Sequence, residues 1–295
     1  MSSNQIKGTV FAIISATFWG LSGVFGQFLF QQRSFSPEWL VTIRLLVPGL
    51  LLLMIAYTQK GKQIFLIFSD LKAIISLLLF SIFGMLAAQL TFFMAIKHSN
   101  AATATVLLFL NPVFILLVVS LQQKKCPSLL HFVAVIFALT GSFFMVTHGN
   151  VHSLSISTEA FWWGISSALA VTFYTLYPSK LIKKWHTSII IGWAMFIGGI
   201  LLSFFYPPWH IKGVWDIYAL AATIFVVIFG SLITFYLYLV SVQYIGGSKV
   251  SLLSSTEPLA AALFSVLLLN MSFGALDWFG MICIMLAVIL LSKSK

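Results

Sequence analysis

Apolar residues fall in ten long runs along the chain, at about 8–30, 37–57, 73–95, 102–122, 129–147, 158–178, 187–206, 217–240, 249–269 and 274–292. Each approaches the roughly 20 residues that a helix needs to cross a hydrocarbon core about 30 Å thick. The breaks are short and polar or helix-breaking, as at Gln31-Gln32-Arg33-Ser34, Gln59-Lys60-Gly61-Lys62, Lys124-Lys125-Cys126-Pro127 and Pro207-Pro208. No run alternates with period two, which argues against a β-barrel. The pattern predicts an all-α integral membrane protein with ten transmembrane helices. The first run follows Lys7, is long enough to span the membrane and has no small-residue cleavage site after it. It reads as a retained helix rather than a signal peptide.

The runs repeat. At a constant offset of 146, Phe83-Gly84-Met85-Leu86 aligns with Phe229-Gly230-Ser231-Leu232, and Asn111-Pro112 with Glu257-Pro258. Leu107, Leu117 and Leu121 meet Leu253, Leu263 and Leu267 in the same ungapped register, while Gly8 and Ala12 match Gly164 and Ala168 at a slightly larger offset. The expected units are 1–148 and 155–295, five spans each. An odd number of spans makes the second unit enter the membrane from the opposite side, so the architecture expected is two inverted five-helix repeats. Secondary transporters recurrently use that build, with the substrate at the midplane between the repeats.

Composition narrows the class further. Only 7% of the residues are charged and 60% are hydrophobic, with a mean hydropathy of +1.06. Soluble domains carry about 25% charged residues, so a cytosolic enzyme, a disordered chain and a secreted disulfide scaffold are excluded. Two cysteines, Cys126 and Cys283, make no disulfide framework. The net charge of +10 is scattered at the ends of runs, which encodes topology rather than nucleic-acid binding. With the N-terminus inside, the inner segments hold Lys7, Lys60, Lys62, Lys72, Lys124, Lys125, Lys180, Lys183, Lys184, Lys249, Lys293 and Lys295, against Arg33, Lys97 and Lys212 outside. Both termini are therefore expected in the cytoplasm.

Few residues inside the spans carry chemistry. Glu257 lies about nine residues into the ninth run, near the midplane at 1.5 Å per residue. A charge there costs on the order of 2.5–3.5 kcal/mol on insertion scales and is tolerated where it faces a polar cavity or a partner. The functional reading is a substrate-contacting or proton-carrying carboxylate; the structural one is a residue that only locks helices. Pro258 removes a backbone donor and frees the carbonyl of Ser254, with Ser254, Ser255 and Thr256 supplying hydroxyls beside it. Asn111-Pro112 repeats the arrangement, and a matched pair of proline-interrupted helices points to a transporter's binding site. Arg44 lies about seven residues into the second run, roughly 10 Å below the outer surface. It either reaches Glu257 or snorkels outward. Trp19, beside Gly20 and Gly23, sits at mid-depth, unlike the interface tryptophans Trp39, Trp163, Trp209 and Trp215. Gln89 with Thr91 and Tyr174 with Tyr177 line a path or bond neighbouring helices. His148 and His152 flank Gly149-Asn150 without the further ligands of a zinc set. His98, His131, His186 and His210 stand at span ends. No phosphate loop or GxSxG motif is present, so neither a cofactor nor a metal is expected.

The chain resembles the EamA family of the drug/metabolite transporter superfamily as two EamA units. The resemblance is carried by Gly8 through Trp19-Gly20, Ser99-Asn100-Ala101-Ala102-Thr103-Ala104, Asn111-Pro112, Trp163-Gly164, Gly246-Gly247-Ser248-Lys249 and Glu257-Pro258. It implies ten helices in an inner membrane, a cavity lined by the fourth and ninth helices, and export of amino acids or other small metabolites. It does not imply a particular substrate. Together these readings predict a secondary transporter that moves a small polar metabolite by alternating access. Its substrate-binding candidates are Trp19, Asn111, Tyr174, Ser254, Ser255 and Glu257. Glu257 and Arg44 are the ion-coupling candidates, and Pro112 and Pro258 the helix breaks. The expected partners are a small-molecule substrate and the lipid bilayer, with no nucleic acid, in a monomer or weak homodimer. The rival readings are a membrane-embedded transferase and a channel-like protein without gradient coupling.

Overall fold

A computed structural model describes residues 3–124, 129–147 and 156–293. Among them the chain is helical with no strand. The N-terminal part contains α1 (Ser3–Gln32), α2 (Pro37–Lys60), a 3-10 stretch (Gly61–Ser69), α3 (Leu71–Leu79), a π-helical stretch (Phe80–Leu86), α4 (Ala87–His98), α5 (Ala101–Leu108), α6 (Asn111–Gln123) and α7 (Leu129–Thr147). The C-terminal part contains α8 (Thr158–Leu176), α9 (Ser179–Lys184), α10 (Thr187–Ser203), α11 (Ile217–Ile224), a second π-helical stretch (Phe225–Ile233), α12 (Thr234–Ile245), α13 (Gly247–Ser254), α14 (Glu257–Leu269) and α15 (Ala275–Lys293). Five continuous stretches are long and apolar enough to cross a membrane: Asn4–Gln32, Pro37–Ser69, Leu71–His98, Ala101–Gln123 and Ile217–Ile245. Leu129–Met145, Thr187–Ser203, Glu257–Leu269 and Ala275–Leu290 are shorter apolar helices.

Helix starts are set locally. Ser36, Asp70, Asn100, Ser157 and Asp216 each accept a hydrogen bond from a backbone N–H two or three residues on, satisfying donors that a helix start leaves open. The π-helical stretches differ from the regular helices that periodicity predicts. There Ser231 Oγ donates to Val226 O and Thr234 Oγ1 to Phe229 O, five residues back, the latter a carbonyl that the Thr234 N–H also reaches. Two further elements, the 3-10 stretch and α9, lie in segments where the hydropathy pattern predicts breaks. The 3-10 stretch is held because Ile64 and Ile67 are buried and Trp193 Nε1 donates to Ile64 O.

The bounds of α5, α6 and α7 recur in α13, α14 and α15, each displaced by the offset of the sequence repeat. Lys124 and Asn270, related by the same offset, end α6 and α14 in the left-handed conformation with φ of 52°. Packing crosses between the two parts. α1 lies against α12 and α14, α8 against α4, α5 and α6, α2 against α10, and α7 against α15. α5 starts beside the C-terminal end of α1, where Ala101 N donates to Gln27 Oε1 and Gln31 Nε2 to Ser99 O. α13 follows the end of α12, which packs on Gly8 at the other end of α1. The centre holds Leu29, Leu40, Leu45, Phe80, Phe93 and Met195. Large apolar side chains such as Leu121, Leu129, Phe132 and Phe204 are exposed on the outside, a distribution suited to lipid rather than water.

Small residues bring the helices together. A Cβ on Gly20 would stand 2.7 Å from Glu257 O and 2.8 Å from Ala261 N, so α1 meets the backbone of α14 directly. Gly49 and Gly199 do the same for α2 and α10, against Phe196 N and Leu46 N. Gly23, one turn from Gly20, would meet nothing closer than 3.5 Å. Gly20→Ala is therefore expected to destabilise the protein by about 1–3 kcal/mol through overpacking, whereas Gly23→Ala stays within about 0.5 kcal/mol of wild type. Unfolding of the purified proteins in detergent measures both, and equal behaviour of the two variants would contradict the close approach.

Candidate functional site

The site begins with two interrupted helices. α5 ends at Leu108, the chain turns through Phe109-Leu110, and α6 starts at Asn111. α13 ends at Ser254, the chain turns through Ser255-Thr256, and α14 starts at Glu257. Pro112 and Pro258 thus stand in the first turn of a new helix, where a missing N–H costs little. Each proline therefore follows a break between two helices rather than kinking a continuous one. Near the second break, Thr256 N and Thr256 Oγ1 both donate to Leu253 O, and Ser254 Oγ donates to Val250 O. Glu257 consequently sits at a helix N-terminus, where the backbone dipole favours negative charge.

Both breaks border one cavity of about 530 Å³, within the usual range for small-molecule sites. Trp19 comes from α1, Arg44 from α2, Gln89 and Phe92 from α4, Asn111 and Pro112 from α6, Tyr174 from α8, Phe235 and Tyr238 from α12, and Ser254 and Glu257 from the second break. The cavity runs on to Val119, His131, Thr175 and Val288, near the ends of α6, α8 and α15 and the start of α7. The structure therefore brings together Trp19, Arg44, Asn111, Pro112, Tyr174, Ser254 and Glu257. Ser255, 3% exposed, and Pro258 are buried but do not border the cavity. Trp19 meets Phe235 and Tyr238, each at a centroid distance of 5.4 Å. Tyr174 stacks on Phe80 at 5.5 Å.

Sequence position alone misses or misplaces several residues. Phe92 and Tyr238 are equivalent in the repeat and both line the cavity, as do Gln89 and Phe235. The repeat register therefore marks these aromatic walls once one of each pair is known. His131 lines the mouth rather than a plain interface. Thr91 bonds back to Ala87 O, and Tyr177 stacks on Phe173 outside the cavity. His148 and His152 lie outside the described residues. Among the described residues, no three His, Cys, Asp or Glu side chains group to hold a metal ion.

Arg44 is 3% exposed and neither snorkels nor bonds to Glu257. Its Nη1 donates to Ser22 Oγ at 3.2 Å and its Nη2 to Gly230 O at 3.0 Å. The guanidinium lies 4.7 Å from the centre of the Phe93 ring, and Nε is buried without a partner. Gly230 belongs to the second π-helical stretch, so Arg44 links the N-terminal part to the widened turn of the C-terminal part. Glu257 is 9% exposed and borders the cavity without a hydrogen bond or ion pair among the described residues. The two groups interact electrostatically without touching. Arg44→Gln is expected to lower stability by about 3–5 kcal/mol, the scale for stranding one of two buried charges. The double variant with Glu257→Gln should unfold at a higher temperature than Arg44→Gln alone. Strict additivity in this double-mutant cycle would show that the charges are uncoupled.

The comparisons with known proteins agree with this architecture. The EamA-like transporter family matches residues 6–147 and again residues 158–293. The chain is 44% identical over 286 residues to the Uncharacterized inner membrane transporter YicL of Salmonella typhimurium strain LT2, covering 97% of this chain and 95% of that protein. It is 23% identical over 267 residues to the WAT1-related protein At3g02690, chloroplastic, of Arabidopsis thaliana, covering 87% of this chain and 63% of that one. A solved crystal structure shares the fold at a TM-score of 0.64 and 16% identity, covering 98% of this chain and 96% of its own. With a family match over both parts and a near full-length relative at this identity, the chain belongs to the EamA-like transporter family.

Proposed function

We propose that this protein is a secondary transporter of an inner membrane that exports a small zwitterionic metabolite, an amino acid or a related compound, by alternating access. One observation carries the reading: Arg44, from within α2, and Glu257, at the second helix break, border the same central cavity, and neither neutralises the other by direct contact. A solute with one cationic and one anionic end meets both charges. Trp19, Tyr174 and Tyr238 then flank its apolar body, and Asn111 and Ser254 offer hydrogen bonds. Ser255 is left out of the contact set, since it lies behind the wall.

The proposed membrane arrangement is ten spans in two inverted five-helix repeats, 1–148 and 155–295, with both termini in the cytoplasm. The recurrence of helix bounds at a single offset supports the repeat. The opposite ends of α1 from which α5 and α13 set out support the inversion. In this orientation the cavity leads toward the cytoplasm through the α6–α7 end, and the described form faces inward. Inverted repeats interconvert inward-facing and outward-facing forms around a fixed midplane site, which is the use a solute pathway makes of them.

Lys62→Cys should resist an impermeant thiol reagent in intact cells while Lys212→Cys reacts; the reverse pattern overturns the orientation. In proteoliposomes with an imposed proton gradient, Glu257→Gln should bind substrate within about tenfold of wild type and lose the pH dependence of flux. A metabolite-wide flux comparison of vesicles with and without the protein identifies the solute. If flux persists with all ion and solute gradients collapsed but requires ATP, the secondary-transport reading fails.

A further inference from the structure

Among the described residues, an ion pair between the N-terminal and C-terminal parts stands at each end of the bundle, and the two are built on the same plan. Asp70 and Asp216, equivalent positions in the repeat, are the N-caps of α3 and α11. In both, Oδ1 accepts from the helix start, from Lys72 N at 3.0 Å and Ala219 N at 2.7 Å respectively. In both, Oδ2 meets a cation from the other part of the chain. Lys184 Nζ reaches Asp70 at 2.8 Å. Arg33 reaches Asp216 through Nη2 at 2.8 Å and Nε at 2.9 Å.

The surroundings are unequal. Arg33 is 24% exposed and its guanidinium lies over the Phe28 ring. Val214 N donates to Arg33 O, and Trp39 Nε1 donates to Pro208 O. Phe35, Trp39 and Trp215 pack ring against ring at 5.0–5.9 Å between the α1–α2 turn and the segment before α11. Trp39 and Trp215 therefore serve this junction rather than a general interface belt. Lys184 is 59% exposed; its ammonium makes one bond to Asp70 and lies 5.5 Å from the centre of the Trp185 ring. A planar guanidinium held by two N–H groups beside aromatic rings resists separation better than an exposed lysine.

We infer that Arg33–Asp216, with the Phe35–Trp39–Trp215 cluster, is the gate that parts when the cavity opens away from the α6–α7 end, and that Asp70–Lys184 is its weaker counterpart. The inequality biases the protein toward the form in which the Arg33 end is shut. This rests on the alternating-access reading. Arg33 also holds the Asp216 carboxyl below the usual carboxylate range, with the Ala219 N–H second. A depressed carboxyl stays charged and keeps its pair at neutral pH. Arg33 and Asp216 are in this sense positioning residues.

Asparagine caps a helix as well as aspartate does, so Asp216→Asn removes the charge and keeps the start of α11. The test uses the full chain in lipid nanodiscs with Cys126 and Cys283 replaced by serine. Spin labels at Gln32 and Lys212 span the gate, and labels at Lys62 and Ile182 span the opposite end. Asp216→Asn and Arg33→Gln should each raise the long-distance fraction at the gate about fivefold, the upper scale of a partly exposed pair. Arg33→Lys should recover part of the closed fraction, and Asp70→Asn should leave the gate distances at their wild-type values. If both gate variants keep the wild-type distribution and unfolding temperature, the gate assignment is wrong while alternating access stands. If neither label pair separates in any protein although flux continues, alternating access fails and the gate with it.

Discussion

A backbone amide inside a hydrocarbon layer has no water to bond to, and each unsatisfied group costs several kcal/mol. A membrane helix can therefore stop in mid-bundle only where protein or a polar cavity receives its loose ends. This chain stops two helices there, at Phe109-Leu110 and at Ser255-Thr256. The rest of the arrangement answers to those breaks. Hydroxyls at Ser254 and Thr256 bond backward, the prolines fall where no donor is needed, and the space left between the broken ends is the cavity.

The scaffold is symmetric and its chemistry is not. Asn111 and Glu257 occupy matching positions at the starts of α6 and α14, one neutral and one acidic. Arg44 has no basic counterpart, for the equivalent position in the second repeat is Ile190. Close contact through Gly20 places Trp19 beside the Glu257 break. Arg44 donates to the Gly230 carbonyl within the second π-helical stretch. A repeated helical pattern thus surrounds one cavity, and two charges without counterparts in the repeat border it.

The helical class, the runs and the break positions are legible in the sequence because hydrophobic length, lysine placement and proline are local signals. The same holds for the candidate residues: depth along a run puts Trp19, Arg44, Asn111, Tyr174, Ser254 and Glu257 together, and all six border the cavity. Depth carries no azimuth, however. It therefore places Ser255 in the site although that residue lies behind the wall, and it offers Arg44 only Glu257 or the interface. The π-helical turns leave no trace in the hydrophobic period, since the apolar runs continue through them. Tyr238 and Phe235 are hidden among many aromatic residues in apolar helices. Only the register with Phe92 and Gln89 distinguishes them, and that signal becomes useful after one member of each pair is located.

In the transport reading the solute occupies the space between Glu257 and Trp19, and protection of a cysteine on the cavity wall reads its presence there. With Cys126 and Cys283 replaced by serine, Ser254→Cys puts a thiol on the cavity wall beside the second break. Its alkylation by N-ethylmaleimide is timed in proteoliposomes with and without the solute identified by flux. A site in this cavity predicts alkylation slowed at least tenfold at saturating solute, with no slowing for a cysteine at exposed Leu121. An unchanged rate at Ser254→Cys, in protein that still transports that solute, would contradict the account.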